Sequence, residues 1–218
     1  MQKSPANNKT VLRKETNLNK LNFYKRSIVL YQMTISFCQR FYQRGDRTID
    51  QMVQAARSAK QNIVEGFSDG VTSAESEIKL LGVARGSNRE LLEDYLDFLA
   101  KHGLQEWKEN NSRFEALHQF CKEHNELSDF EPFFGKWNHE EMANCAICLA
   151  HMNDKALTTL LKRKDAEFVR EGGTKERMYA ARMNYKQEQK ELIQKLLIEN
   201  QNLKSEISKL KEFLSRKQ

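Results

Sequence analysis

Five residues of this 218-residue chain have the types and spacing of metal chemistry. Cys121 and His124 are three apart, and Cys145, Cys148 and His151 repeat that step. Cys-x2-His followed by Cys-x2-Cys resembles the spacing of tetrahedral zinc sites. Two features oppose that reading. The positions fall within helical patterns, where Cys145, Cys148 and Met152 share a face with alanine and leucine, as small core residues do. Tight zinc turns also need glycine nearby, and none is present. The expectation is no metal and no cofactor. No glycine loop follows a strand to cradle phosphate. No nucleophile elbow, catalytic carboxylate pair or His-Glu-x-x-His stands out. No catalytic residue is assigned, and the chain is expected not to be an enzyme.

Basic side chains offer a second chemistry. The net charge is +6, from 36 Lys and Arg against 30 Asp and Glu. Residues 1–44 hold nine basic side chains and one acidic; residues 172–218 hold eleven and six, and the middle is mildly acidic. Lys25, Arg26, Arg40, Arg44 and Arg47 lie along the polar side of the first helical pattern and the turn beyond it. Lys162, Arg163 and Lys164 form a later group, and Arg177, Arg182 and Lys186 line the start of the last helix. Basic helix faces of this kind can track phosphates, RNA or DNA. Solvated surface is the alternative that charge alone leaves open. No aromatic platform or base-reading motif accompanies the cations, so strong sequence specificity is not expected.

The elements that must position these groups are helical. Proline occurs twice and glycine nine times, which suits long helices. Residues 1–17 read as a flexible basic tail. Leu21, Tyr24, Ile28, Tyr31, Ile35, Cys38 and Tyr42 then alternate steps of three and four, with Phe23, Leu30, Phe37 and Phe41 as a second stripe. Gly45 stops this helix and Asp46 caps the next, Arg47 to Phe67. Thr72 and Glu75 have capping-box spacing for a third helix that ends at His102-Gly103. A fourth is expected from Gln105 to Asn125. Four amphipathic helices with short loops predict an antiparallel bundle over 18–126. The proline-containing stretch 127–137 reads as a linker whose phenylalanines pack on something. A fifth helix is expected in 138–173, and a sixth in 174–218. The expected fold class is all-α: an antiparallel four-helix bundle plus two further long helices, the last a coiled coil.

The clearest periodicity closes the chain, over 189–214. Ile193, Asn200, Ile207 and Leu214 are seven apart, and Leu196, Leu203 and Leu210 follow each of the first three by three. These are heptad a and d positions with β-branched Ile at a and Leu at d, a combination that favours a parallel two-stranded coil. Asn200 would set register, because two buried amides satisfy each other only when aligned. Glu199 and Glu206 at g face Lys204 and Lys211 at e of a parallel partner. Packing of the stripe within the chain, or docking on another protein, is the alternative.

Asn62-Ile63-Val64-Glu65-Gly66 and Ala84-Arg85-Gly86-Ser87, followed by Glu90-Leu91, carry a further signal. Over residues 20–125 the chain resembles the four-helix-bundle proteins encoded by intervening sequences in bacterial large-subunit ribosomal RNA genes. The accessory variability proteins of diversity-generating retroelements (Avd-like) are relatives of these. The remainder is similar to the C-terminal suffix region of some members. The resemblance implies a bundle forming ring-like pentamers and, in the retroelement branch, RNA binding and docking to a reverse transcriptase. The zipper implies a dimer instead. Relatives carry basic residues after the Glu-Gly; here the loop is Phe67-Ser68-Asp69-Gly70. In physical terms, Gly82 and Gly86 predict a close helix contact. Asn62, Glu65, Arg85 and Glu90 predict a hydrogen-bonded network between the second and third helices.

These readings combine into an expectation of a non-enzymatic, oligomeric, nucleic-acid-binding accessory protein assisting an enzyme such as a reverse transcriptase. An oligomeric scaffold that binds only proteins, through the second stripe of the first helix and Phe130–Phe134, is the alternative. No apolar run reaches the roughly 18–20 residues that span a bilayer, and the first residues lack a signal peptide's apolar core. A cytoplasmic protein with reduced cysteines is expected.

Overall fold

Asp46 accepts a hydrogen bond from the Thr48 N–H at 2.9 Å, and this side-chain cap starts a helix where the sequence placed one. The computed structural model describes residues 11–216, and every regular element within them is helical. The chain divides into two units: Leu12–Gly173, and a unit holding the C-terminal helix. Among the described residues no helix is long and apolar enough to cross a membrane.

In the first unit, a 3-10 turn at Leu18–Lys20 leads into α1, Asn22–Phe41. α2 spans Arg47–Asp69 and α3 spans Ala74–Lys101. Ser73, not Thr72, caps α3 by accepting from the Ser76 N–H at 3.1 Å. Thr72 instead closes the preceding turn, donating both its backbone N–H and its hydroxyl to the Asp69 carbonyl. Gly103, at φ +64°, ends the turn after α3 in a conformation that favours glycine.

The fourth helix of the bundle is not the one expected. Residues 104–113 are irregular, and α4 covers only Phe114–Glu123. The Asn111 side chain accepts from the Arg113 N–H, and its own N–H bonds the Lys108 carbonyl, a local turn that competes with helix. α5 (Leu127–Phe130) and a 3-10 turn (Glu131–Phe133) follow. α6, His139–Glu171, then packs along both α1 and α3. It is therefore the fourth rod of the bundle and not a suffix outside it; the boundaries 18–126, 127–137 and 138–173 give way to one unit. Its composition explains the placement. Met142–Ile147, with Leu149 and Ala150, are all buried, so this stretch is covered on nearly every side. α4 covers the remaining side of α6.

Cross-helix pairs fix the directions. Ser58 meets Ser87, Gly66 meets Leu81, Asn88 meets Ala150 and Arg85 meets Asp154, so α2 runs against α3 and α3 against α6. α1 and α3 are parallel across the core, where the Thr34 and Tyr95 hydroxyls lie 3.0 Å apart. Phe37 is fully buried at the centre, edge-on to Phe41, Tyr42, Tyr95 and Phe98. The stripe Leu30–Phe37 thus points inward. Ile28, Tyr31 and Ile35 of the other stripe are half-buried.

A side chain at Gly66 would press within 3.3 Å of Leu81, so this glycine allows α2 to approach α3. At Gly82 and Gly86 an added Cβ meets nothing within 4 Å. The close contact expected there does not occur among the described residues.

Residues 1–10 of the expected tail lie outside the described residues. Arg13 is held in place: its N–H donates to the Val71 carbonyl at 3.1 Å, and its guanidinium reaches Glu77 at 3.1 Å and Glu167 at 3.3 Å. Phe130 and Phe134 are buried, so the linker packs as expected on the bundle.

In the second unit, α7 spans Thr174–Ser215, 42 residues, with none buried. At about 1.5 Å per residue it is roughly 63 Å long.

Candidate nucleic-acid interface and assembly stripe

The expected phosphate-binding cations fall into two groups. The first makes contacts with the bundle or is partly covered by it, although Arg40 stays exposed. Lys25 on α1 pairs with Glu126. Arg40 donates to the Phe134 carbonyl, and its guanidinium lies 4.6 Å from the centre of the Phe41 ring. Lys164 on α6 sits 2.6 Å from Glu77, a carboxylate only 2 % exposed. Leaving that buried charge unpaired would be costly, so Lys164 and Arg13 serve neutrality and not phosphate. Arg26 is half-buried with its Nε lacking a hydrogen-bond partner. Burial lowers its pKa, while the nearby thiols of Cys121 and Cys148 act the other way.

The second group stays exposed. Arg44 and Arg47 flank the α1–α2 turn; Lys162 and Arg163 lie on α6; Arg182 and Lys186 lie on α7. Arg177 on α7 is half-buried. The bundle pairs do not converge. Arg44 lies in the turn beyond Phe41, whose ring meets His139 at the start of α6. Lys162 lies 23 residues further along that helix, about 35 Å away. Acids also crowd the first end: Asp46, Asp94 and Asp97 all act on the Tyr42 hydroxyl, whose pKa is raised mainly by burial. Asp94 itself is pushed up to about 6 by burial, then by Asp97 and Glu90.

The motif residues are structural, but differently from expectation. Asn62 donates within its own helix to the Ser58 carbonyl at 2.9 Å. Glu65 is exposed and accepts from Gln61. Arg85 leaves α2 aside and reaches Asp154 of α6 at 2.9 Å, which Arg89 joins at 2.8 Å. Burial favours the neutral acid of Asp154, but the hydrogen bonds from Arg89 and Arg85 outweigh it and hold its pKa low. Glu90 is exposed. Asn62 also donates to the Ser58 hydroxyl at 3.2 Å, which lies 2.9 Å from that of Ser87, so a short hydrogen-bonded chain does link α2 to α3.

The cysteine spacing does produce a cluster. The Cys121 and Cys145 sulfurs are 3.8 Å apart, and Cys121 also hydrogen-bonds Cys148. The histidines turn elsewhere: His124 stacks on Phe120 and bonds its carbonyl, while His151 is exposed beside Glu106 at 3.9 Å. Cys121 is raised by its bond with Cys145 and by burial, and Cys148 by its bond with Cys121 and by burial. Such thiols remain protonated, and the thiolate is the form that attacks or ligates. Among the described residues no group of three His, Cys, Asp or Glu side chains is placed to hold a metal ion.

Sequence reasoning missed one cavity. A cleft of about 510 Å³ opens between the 106–117 segment and α6, walled by Trp107, Phe114, Leu117, Ile147, Cys148 and His151. Its framework is Asn144, which accepts from the Trp107 N–H at 2.7 Å and donates to the Gln105 and Glu140 carbonyls. Three satisfied bonds from one buried amide are invisible to periodicity.

The heptad stripe of α7 is exposed along its length. Ile193, Leu196, Leu203, Ile207, Leu210 and Leu214 are each 51–64 % exposed. Asn200 is exposed among them.

The fold and surface define an all-α helical protein whose longest helix carries an uncovered heptad face. No protein-family model, curated protein or solved structure matches the chain.

Proposed function

We propose that the protein is a non-enzymatic accessory module that self-associates through α7 and binds nucleic acid, RNA foremost, through cations repeated in each copy. The observation that carries this is the uncovered stripe Ile193–Leu214: apolar groups at every a and d position except Asn200, all exposed. Six large apolar side chains left in water are an unpaid hydrophobic gain of about 1.5–3 kcal/mol each, which a second helix would collect. The exposed Arg44, Arg47, Lys162 and Arg163 are scattered, so each copy offers only weak phosphate contacts. Joining copies raises effective concentration and turns weak contacts into useful avidity. The resemblance of the two bundle motifs supports RNA and a reverse transcriptase or other nucleic-acid enzyme as partner. It also supports a bacterial, cytoplasmic setting, where the cysteines stay reduced.

The test is fluorescence anisotropy with a labelled 30-nucleotide RNA at 50 and 200 mM salt, beside light scattering for mass. Expected are a multimer and an affinity falling steeply with salt. Arg44→Glu/Arg47→Glu/Lys162→Glu/Arg163→Glu should weaken binding, and Leu203→Glu should weaken it further by dissociating the copies. No binding at 50 mM salt, either to this RNA or to its duplex with a complementary strand, removes the nucleic-acid reading.

The internal use of Lys25, Arg26, Arg40 and Lys164 favours a second reading, a scaffold for protein partners only. Its docking face is then not Phe130–Phe134 or the Leu30–Phe37 stripe, since Phe130, Phe134, Leu30 and Phe37 are buried. A multimer with no affinity for RNA or DNA is its signature.

A further inference from the structure

The heptad register does not stop where the leucines do, because α7 is one unbroken helix from Thr174 to Ser215. Counting back in sevens from Ile193 places Lys186 and Tyr179 at a; from Leu196, it places Gln189, Arg182 and Lys175 at d. In a parallel two-stranded coil, these positions face the same residues of the second copy. Lys186 would then oppose Lys186, Arg182 would oppose Arg182, and Lys175 would oppose Lys175. Like charges across a seam repel, and of these five positions Tyr179 alone brings a ring to offset it. Such a coil would close over residues 193–214 and open over 175–190.

We infer that this open half is a basic fork that straddles a nucleic-acid duplex, one arm on each side. The inference rests on the self-associating, nucleic-acid-binding reading and names its site. Between Thr174 and Lys190 each arm carries Lys175, Arg177, Arg182, Lys186 and Lys190 against Glu176 and Glu188. Lys175, Arg182, Lys186 and Lys190 are exposed. Tyr179, 68 % exposed at an a position, places a phenol among them that can donate to a phosphate oxygen. Each arm is about 24 Å long, enough to cross a major groove about 12 Å wide. Charge complementarity selects a polyanion, and two arms diverging from one seam select a double helix over a single strand, the geometry by which other zipper-joined basic helices grip DNA. A duplex between the arms also relieves the repulsion that holds them apart.

The experiment uses the full chain with labelled 24-base-pair DNA and RNA duplexes and a single strand of equal length. The informative variant is Arg182→Leu/Lys186→Leu, which completes the heptads. Its expected result is a pair of opposite changes: self-association tightens at least tenfold, while duplex affinity falls at least tenfold at 100 mM salt. Four cations leave each dimer, so the log–log salt slope on duplex DNA should drop by about 3–4. Arg182→Gln/Lys186→Gln should weaken binding without tightening the coil. Lys195→Ala/Lys209→Ala, at outward c positions of the closed half, should bind as the parent does.

Unchanged duplex affinity in Arg182→Leu/Lys186→Leu overturns the fork while leaving the accessory reading in place. A single strand bound as tightly as either duplex overturns the duplex assignment. A parent chain that binds no nucleic acid at all overturns both.

Discussion

In the bundle, Phe37, Tyr95, Met142 and Leu149 have no more than trace exposure; in α7, Leu196, Leu203 and Leu210 keep half or more of their surface in water. Of the large exposed apolar side chains among the described residues, three lie in the bundle (Leu12, Val83 and Val169) and fourteen in α7. Polar groups divide the same way. Thr34, Asn88 and Asn144 are buried and bonded within the bundle, at Tyr95, Ala150 and Trp107 respectively. Asn200 has no buried neighbour of its own. The bundle thus satisfies its own sequence, whereas the apolar stripe of α7 is left exposed among the described residues. On the proposed reading, fold stability and self-association should be separable.

Four substitutions can break or sharpen this contrast. Leu203→Glu has the largest expected effect. It places a carboxylate at the centre of the seam in both copies, and the two lost leucines weaken self-association about 100-fold or more. Sedimentation should show monomers whose bundle melts as the parent's does. A coincident loss of bundle stability would merge the two regions. Phe37→Ala is the converse. It empties the aromatic centre and costs about 3–5 kcal/mol, lowering Tm by roughly 6–20 °C. Its mass by light scattering should stay that of the parent. Asn200→Ile should raise the melting temperature of the coil and loosen its stoichiometry, giving species above the dimer by sedimentation. A single unchanged dimer would show that Asn200 does not set register.

The smallest effect is a pH effect at Asp94. Its folded pKa of about 6 lies above the model-peptide value near 3.9, so the folded state holds the proton more tightly. Its contribution favours folding below about pH 4 and is lost as pH rises through 6. Asp94→Asn should therefore raise Tm at pH 7.5, by no more than about 2–4 °C because the half-buried carboxyl is partly screened. The gain should disappear at pH 4. An equal gain at both pH values would assign it to something other than charge.

Helix content, the breaks at Gly45 and Gly103, the Asp46 cap and the heptads of α7 were all legible along the chain, because each is a local rule. Apolar spacing, cap chemistry and glycine at positive φ act within a few residues. The candidate cations were legible only as charges. Lys164 and Arg85 look like surface groups until Glu77 and Asp154 are brought beside them from 87 and 69 positions away.

Three-dimensional packing alone chose the rods of the bundle. Residues 105–125 and 138–173 both read as amphipathic helix, and their apolar spacing alone does not rank one over the other. Asn144 holds the 105–107 backbone out of helical geometry, and the small side chains Ala143, Ala146 and Ala150 let α6 enter the groove between α1 and α3. Which helix fills a core depends on the shape left by the others, and that is a property of contacts between distant residues and not of any one segment's pattern.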